Sequence, residues 1–186
     1  KEFVDKQKET VICRSFAPYR WYQLPDSLPG HWMPYGLMLG EHAMELANSL
    51  NEFLRYINIL NTWKEVIGAK SDSDKHEIVI EFIVPFATLA VNLPYVIRSR
   101  FIYSVAHLSH QANQTNQINW VDDLPIDTEI YFEVADKYAA HWKSYKKLKL
   151  ALEQIANKKY QLNTFDFRKK YNHRYSYLIN LLPPDH

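Results

Sequence analysis

The chain has 186 residues and a mass of 22.1 kDa, with 47% hydrophobic, 23% charged and 15% aromatic residues. That balance belongs to a folded domain large enough to bury a core, and it excludes disordered, collagenous and low-complexity classes. The formal net charge is only +1, and the lone cysteine, Cys13, excludes an internal disulfide and a Cys-rich zinc site.

Residues 1–9 are mostly charged and are expected to fray. Residues 16–36 follow, where Pro18, Pro25, Pro29 and Pro34 stand among Tyr19, Trp21, Tyr22, Trp32 and Tyr35. Four prolines in that span forbid a regular helix. Residues 1–36 therefore read as an irregular aromatic arm packed on a single helical domain, residues 37–186. Four glycines are too few for the turns of a sandwich or barrel.

Between residues 37 and 66 apolar side chains recur at steps of three and four through Ala43, Ala47, Leu50, Leu54, Ile57 and Leu60, with Glu41, Glu45, Asn48, Glu52 and Arg55 opposite. That is the period of an amphipathic helix. Gly68 ends it. Asp74 is the expected cap of a second helix reaching residue 91, and Pro85 is expected to kink or break it. Residues 82–97 carry no charge and contain Pro85, Asn92 and Pro94. They fall short of the ~20 residues of a membrane span, so the expectation is a buried core helix in a soluble, cytoplasmic protein with no membrane partner.

Pro94 is expected to open a third helix over 95–112. A polar loop follows over 113–128. The clearest helix comes next, where Val134, Tyr138, Trp142, Tyr145, Leu148, Leu152 and Ile155 hold one face. Thr164 is the expected cap of a last helix over 165–181, ahead of Pro183 and Pro184. The fold class is therefore all-α, a bundle of four or five long helices with an irregular Pro/aromatic N-terminal arm.

Most catalytic constellations are missing. No His has Glu three residues before it, as a ferritin-type di-iron site requires. His107 and His110, spaced i, i+3, read first as a polar helix face and only second as a ligand pair. No Gly-rich phosphate loop, Gly-x-Ser-x-Gly elbow or His-Glu-x-x-His helix occurs, and neither cofactor nor metal is expected. Charge, however, is unevenly spread. Residues 137–174 hold eleven Lys and Arg against Glu153 and Asp166 alone, while the rest carries eleven basic and nineteen acidic residues. Such a segment suits a polyanion, with a solvated lysine-rich helix as the plain alternative.

Inside that window lies Phe165-Asp166-Phe167-Arg168-Lys169-Lys170-Tyr171-Asn172-His173-Arg174-Tyr175. It pairs a guanidinium that stays charged with an imidazole that titrates near neutrality. Those groups suit metal-free cleavage of a ribose phosphodiester. The imidazole moves a proton to or from the 2′-hydroxyl or the leaving oxygen, and the guanidinium holds the charge of the phosphorane-like transition state. At about 100° per residue, Arg168 and His173 stand about 140° apart on a straight helix, so a shared site calls for two copies of that helix.

Arg168-x4-His173 resembles the R-x(4–6)-H signature of the HEPN superfamily. With Tyr175 it resembles the R-x4-H-x-Y form of HEPN toxins paired with nucleotidyltransferase antitoxins, a pattern expected about 0.02 times by chance in this chain. The resemblance implies a homodimeric, metal-independent endoribonuclease of a toxin or defence system, with Arg168 and His173 as the catalytic pair. Lys169, Lys170, Asn172 and Arg174, with Lys146 and Lys147 from the same basic window, would position RNA, and Tyr175 would take a nucleotide from the antitoxin. Lys169 stands where active members commonly carry Asn, Asp or His. The alternative is a catalytically silent HEPN-like module that dimerises or binds RNA or protein.

Overall fold

A computed structural model describes residues 1–10, 14–125 and 128–173, without the side chains of Asn172 and His173. Among these residues the chain is helical and holds no strand, in agreement with the all-α expectation. The α-helices are α1 (Glu2–Glu9), α2 (Met33–Ile67), α3 (Asp72–Ile78), α4 (Val84–Asn116), α5 (Phe132–Ala139), α6 (Tyr145–Gln154), α7 (Lys158–Asn163) and α8 (Phe167–His173). Two compact units divide the chain. The first comprises Lys1–Phe16, Glu52–Pro94 and Ala156–His186, and the second Ala17–Asn51 and Tyr95–Ile155, so α2 and α4 each contribute to both.

In the first unit, residues 1–9 do not fray: they form α1. Phe3 stacks on Trp63 at 4.5 Å, and Trp63 on Phe82 at 4.9 Å, which anchors a helix that carries no buried residue of its own. Ser71 rather than Asp74 caps α3, its hydroxyl accepting the Asp74 N–H at 3.2 Å. Val79–Ile83 then form one π turn, in which the Val84 N–H reaches back to the Val79 carbonyl. Pro85 lacks an N–H, and its ring collides with the carbonyl four residues back. The wider turn just ahead of it accommodates both problems without a break.

Pro94 does not open a new helix; it lies inside α4. It cannot donate to Ala90. Carbonyls around it take side-chain donors instead, Asn92 Nδ2 to Thr88 O at 2.8 Å and the Tyr160 hydroxyl to Val91 O at 2.9 Å. The uncharged stretch 82–97 is helical but not the buried core expected. Within it only Ala90, Leu93, Pro94 and Ile97 are buried, while Leu89 and Val96 are exposed. A helix that is apolar all round is covered only on the sides its neighbours reach. By length and composition alone, the run Asp72–Asn116 is apolar enough to cross a membrane.

The core of the second unit gathers Ile102 and Ala106 of α4, Ala135 and Ala139 of α5, and Tyr145 and Leu152 of α6. The single helix expected from residue 128 onward is broken: α5 ends at Ala139 and α6 begins at Tyr145. Asp136 gives the reason. Its carboxylate accepts the Tyr145 hydroxyl at 2.6 Å and Lys149 Nζ at 2.7 and 2.9 Å. On one continuous helix Asp136 and Lys149 would lie about 20 Å apart, so the bond requires the helix axis to break between them.

The aromatic arm is fastened to α2. The Asn51 amide exchanges hydrogen bonds of 2.7 and 3.0 Å with the Ala17 backbone, and Trp21 Nε1–H donates to Ala43 O at 3.0 Å. α2 itself begins at Met33, so the last residues assigned to the arm are helical. Gly36 and Gly40, one turn apart on α2, receive arm side chains. A Cβ would stand 3.0 Å from Leu28 Cδ2 at Gly36 and 3.1 Å from the Tyr22 hydroxyl at Gly40.

At the other end of the chain, Asn157 caps α7 by accepting the Tyr160 N–H at 2.9 Å. Thr164 does not cap the last helix; it is the C-cap of α7, and its hydroxyl donates back to Tyr160 O at 2.9 Å. Phe165 and Asp166 both adopt the left-handed conformation, each with φ 52°, so the last helix starts at Phe167. The remainder of the expected helix, residues 174–181, lies outside the described residues.

The arm contact yields a contrast between two glycines. Gly36→Leu is expected to lower unfolding free energy by about 1–3 kcal/mol through overpacking against Leu24 and Leu28. At Gly30 an added Cβ would meet no atom within 4 Å, and Gly30→Ala is expected to stay within about 0.5 kcal/mol of wild type. Urea unfolding of both variants checks the pair.

Candidate functional site

α8 carries the described part of the Arg-His motif, within the first unit. Phe167 and Tyr171, one turn apart, stack at 5.3 Å with their rings 17° from parallel. Arg168 and Lys169 are exposed and Lys170 is half-buried. Three consecutive cations spread over about 200° of a helix surface, a broad basic face rather than a stripe. The Lys170 N–H bonds the Asp166 carbonyl at 3.1 Å, which ties the helix to the left-handed pair ahead of it. Arg174 and Tyr175 lie outside the described residues, as do the side chains of Asn172 and His173.

Lys146 and Lys147 are exposed on α6, in the second unit, so the residues expected on RNA are divided between the two units. The basic window is also less free than its count suggests. Lys137 pairs with Asp123 and Lys149 with Asp136, two acids just outside it. Both carboxyls are held below the ordinary Asp value, Asp123 by hydrogen bonds from Lys137 and Tyr138, Asp136 by those from Lys149 and Tyr145.

A second polar constellation occupies the α2 and α4 segments of the second unit. Arg100 donates to Ser49 Oγ at 2.6 Å and meets Glu45 at 3.4 Å. One turn further along α4, the Ser104 hydroxyl donates to Arg100 O at 2.8 Å and stands 3.1 Å from His42 Nδ1. The Ser104 hydroxyl thus stands within hydrogen-bond reach of both the helix carbonyl and the His42 ring. The His107 ring lies 4.0 Å from Tyr103 and 6.1 Å from His42. Its Nε2 is buried with no hydrogen-bond partner among the described residues. Burial lowers the pKa of both imidazoles. Glu41 opposes this at His42, while the charges of His42 and His110 lower His107 further.

His110 enters a different environment. It is buried, its Nε2 accepts Trp120 Nε1–H at 3.1 Å, and its ring meets Tyr138 edge-on at 5.0 Å. The i, i+3 pair therefore splits. Among the described residues no group of three or more His, Cys, Asp or Glu stands where it could hold a metal ion. Nothing in the sequence signals the Ser49, Arg100, Ser104 and His42 cluster, because its members are brought together across 51 and 62 residues with no recognisable spacing.

The two lowered imidazoles predict a pH dependence. The folded chain keeps them neutral, whereas the unfolded chain protonates its histidines below about pH 6.5. The unfolded state then binds more protons, so stability is full above about pH 6.5 and falls as pH drops through the lowered values. Melting temperatures measured from pH 7.5 down to pH 5 are expected to decline, and His107→Leu is expected to flatten the decline. Equal slopes in both proteins would count against this assignment.

Comparison with known proteins adds no relative: no family model, no curated protein and no solved structure matches the chain.

Proposed function

We propose that the chain is a HEPN-like, metal-independent endoribonuclease that acts as a homodimer, with Arg168 and His173 of two copies forming one composite site in a toxin or defence role. The observation that carries this reading is the Arg168-x4-His173 spacing on a short helix that exposes Arg168 and Lys169. In this scheme the 2′-oxygen of the RNA attacks phosphorus and the 5′-oxygen leaves. One His173 imidazole accepts the 2′ proton, the imidazolium of the other copy protonates the leaving oxygen, and Arg168 holds the negative charge that accumulates between them. Lys169, Lys170, Asn172 and Arg174 follow the backbone phosphates, with Lys146 and Lys147 as further contacts. Tyr175 is the acceptor of a nucleotide delivered by a nucleotidyltransferase antitoxin. No cofactor takes part, and the setting is cytoplasmic.

One observation favours a second reading. Lys169 is exposed directly after Arg168, where a bulky cation crowds an anion pocket. On that reading the motif is a polar interface of a catalytically silent module that dimerises or binds RNA or protein.

Cleavage of a labelled mixed-sequence RNA in EDTA separates the two. Wild type is expected to leave 2′,3′-cyclic phosphate ends, and His173→Ala and Arg168→Ala are each expected to lose at least about 100-fold in rate. Absence of cutting by wild type at concentrations where it is dimeric would leave only the silent module.

A further inference from the structure

The second unit contains an open cavity of about 380 Å³, within the range of about 300–1,000 Å³ in which small-ligand pockets fall. Four aromatic rings line it, Trp32 just ahead of α2, Tyr35 in the first turn of α2, Trp142 from the α5–α6 turn and Tyr145 at the start of α6, together with aliphatic side chains of α4 and α6. Trp32 and Tyr35 pack edge-on at 5.4 Å, which fixes one wall.

The lining carries no charged residue. That is informative because the wall runs through a lysine-rich sequence: Trp142, Ser144, Tyr145 and Leu148 line the cavity, while the intervening Lys143, Lys146 and Lys147 do not. An anion or a cation would enter without a partner, at a large desolvation cost. A neutral molecule meets no such cost, and flat ring systems gain most against aromatic walls.

Polar groups are available to orient such a molecule. Tyr35, Trp32, Trp142, Ser109 and Ser144 line the cavity, and their side chains make no hydrogen bond among the described residues. Tyr145 is different, since its hydroxyl is committed to Asp136 at 2.6 Å. Burial raises the pKa of Tyr35, which keeps that hydroxyl a neutral donor through the physiological range.

We propose that this cavity is a binding site for a small, flat, uncharged aromatic molecule, stacked against the tryptophans and hydrogen-bonded by Tyr35 or one of the two serines. The site is built from residues of the second unit alone and stands apart from the ribonuclease reading of α8.

A matched pair of probes tests it. In isothermal titration calorimetry of the full chain, 2-naphthol is expected to bind at one site with a dissociation constant below about 1 mM, the affinity a ligand of that size reaches. Naphthalene-2-sulfonate, with the same ring system and one negative charge, is expected to bind at least about tenfold more weakly. Ser109→Phe, which fills the cavity, and Trp142→Ala, which removes an exposed wall residue, are each expected to weaken 2-naphthol at least about tenfold. Should Ser109→Phe not fold, Trp142→Ala carries the test by itself, with circular dichroism showing that its helices remain. Failure of 2-naphthol to bind, equal affinity for the sulfonate, or wild-type affinity in the folded variants would each overturn the proposal.

Discussion

Asp136 accepts one hydrogen bond from the Tyr145 hydroxyl and two from Lys149, and the second unit takes its form from that cluster. These bonds are worth little as bulk electrostatics, because both charged groups remain partly open to water. Their value is directional. They tie α6 to α5 across the turn that carries Trp142, and Ala135 and Ala139 share a core with Tyr145 and Leu152. Burial, with the Asp136 hydrogen bond, pushes the Tyr145 phenol far above its usual value, so it remains a donor at any physiological pH. Lys149 also lies 5.4 Å over the Phe132 ring, and Arg98 of α4 lies 5.2 Å from the same ring, so one aromatic side chain joins three helices.

The loop after α4 is held by polar groups of the same kind. Asn113 Nδ2 donates to Tyr138 O at 2.9 Å, the Tyr138 hydroxyl donates to Asp123 Oδ1 at 2.7 Å, and Trp120 donates to His110. Losing one member of such a network leaves a buried group unpaired, at about 1–3 kcal/mol, so these bonds select one arrangement more than they add stability. The first unit relies on rings instead, with Phe3, Trp63 and Phe82 in a stack and Tyr56 beside Phe86 at 5.7 Å.

Helical periodicity made the all-α class and the first long helix legible, because an apolar stripe at steps of three and four has one economical reading. What periodicity could not show was where tertiary contacts override it. The stripe from Val134 to Ile155 is continuous in sequence, yet the Asp136 carboxylate draws Lys149 across a gap no straight helix closes. Pro94 reads as a boundary, yet it lies within α4, where the Tyr160 hydroxyl bonds the carbonyl of Val91, 69 residues from it in sequence and three before the proline. Thr164 reads as the cap of the last helix, whereas the left-handed pair Phe165 and Asp166 restarts the helix two residues later, a conformation that Asp favours more than most residues but Phe does not announce. The purpose of Gly36 and Gly40 emerged only with Leu28 and Tyr22 packed against them. Of the candidate site, Arg168 and Lys169 are exposed on α8. The cluster of Ser49, Arg100, Ser104 and His42 left no trace in residue spacing.

The π turn at Val79–Ile83 bears on how this chain tolerates insertion and deletion. A π turn is an α-helix with one residue too many, wound in without breaking the axis. Deleting a residue inside that turn would restore ordinary α winding and leave the faces of α4 pointing as they do now. Deleting one in α4 ahead of Ile102 would rotate everything after it by about 100° and turn the core residues Ile102 and Ala106 away from their partners. The turn is therefore the one place in this long helical run where the length of the gene can change by a codon while the helix keeps its phase.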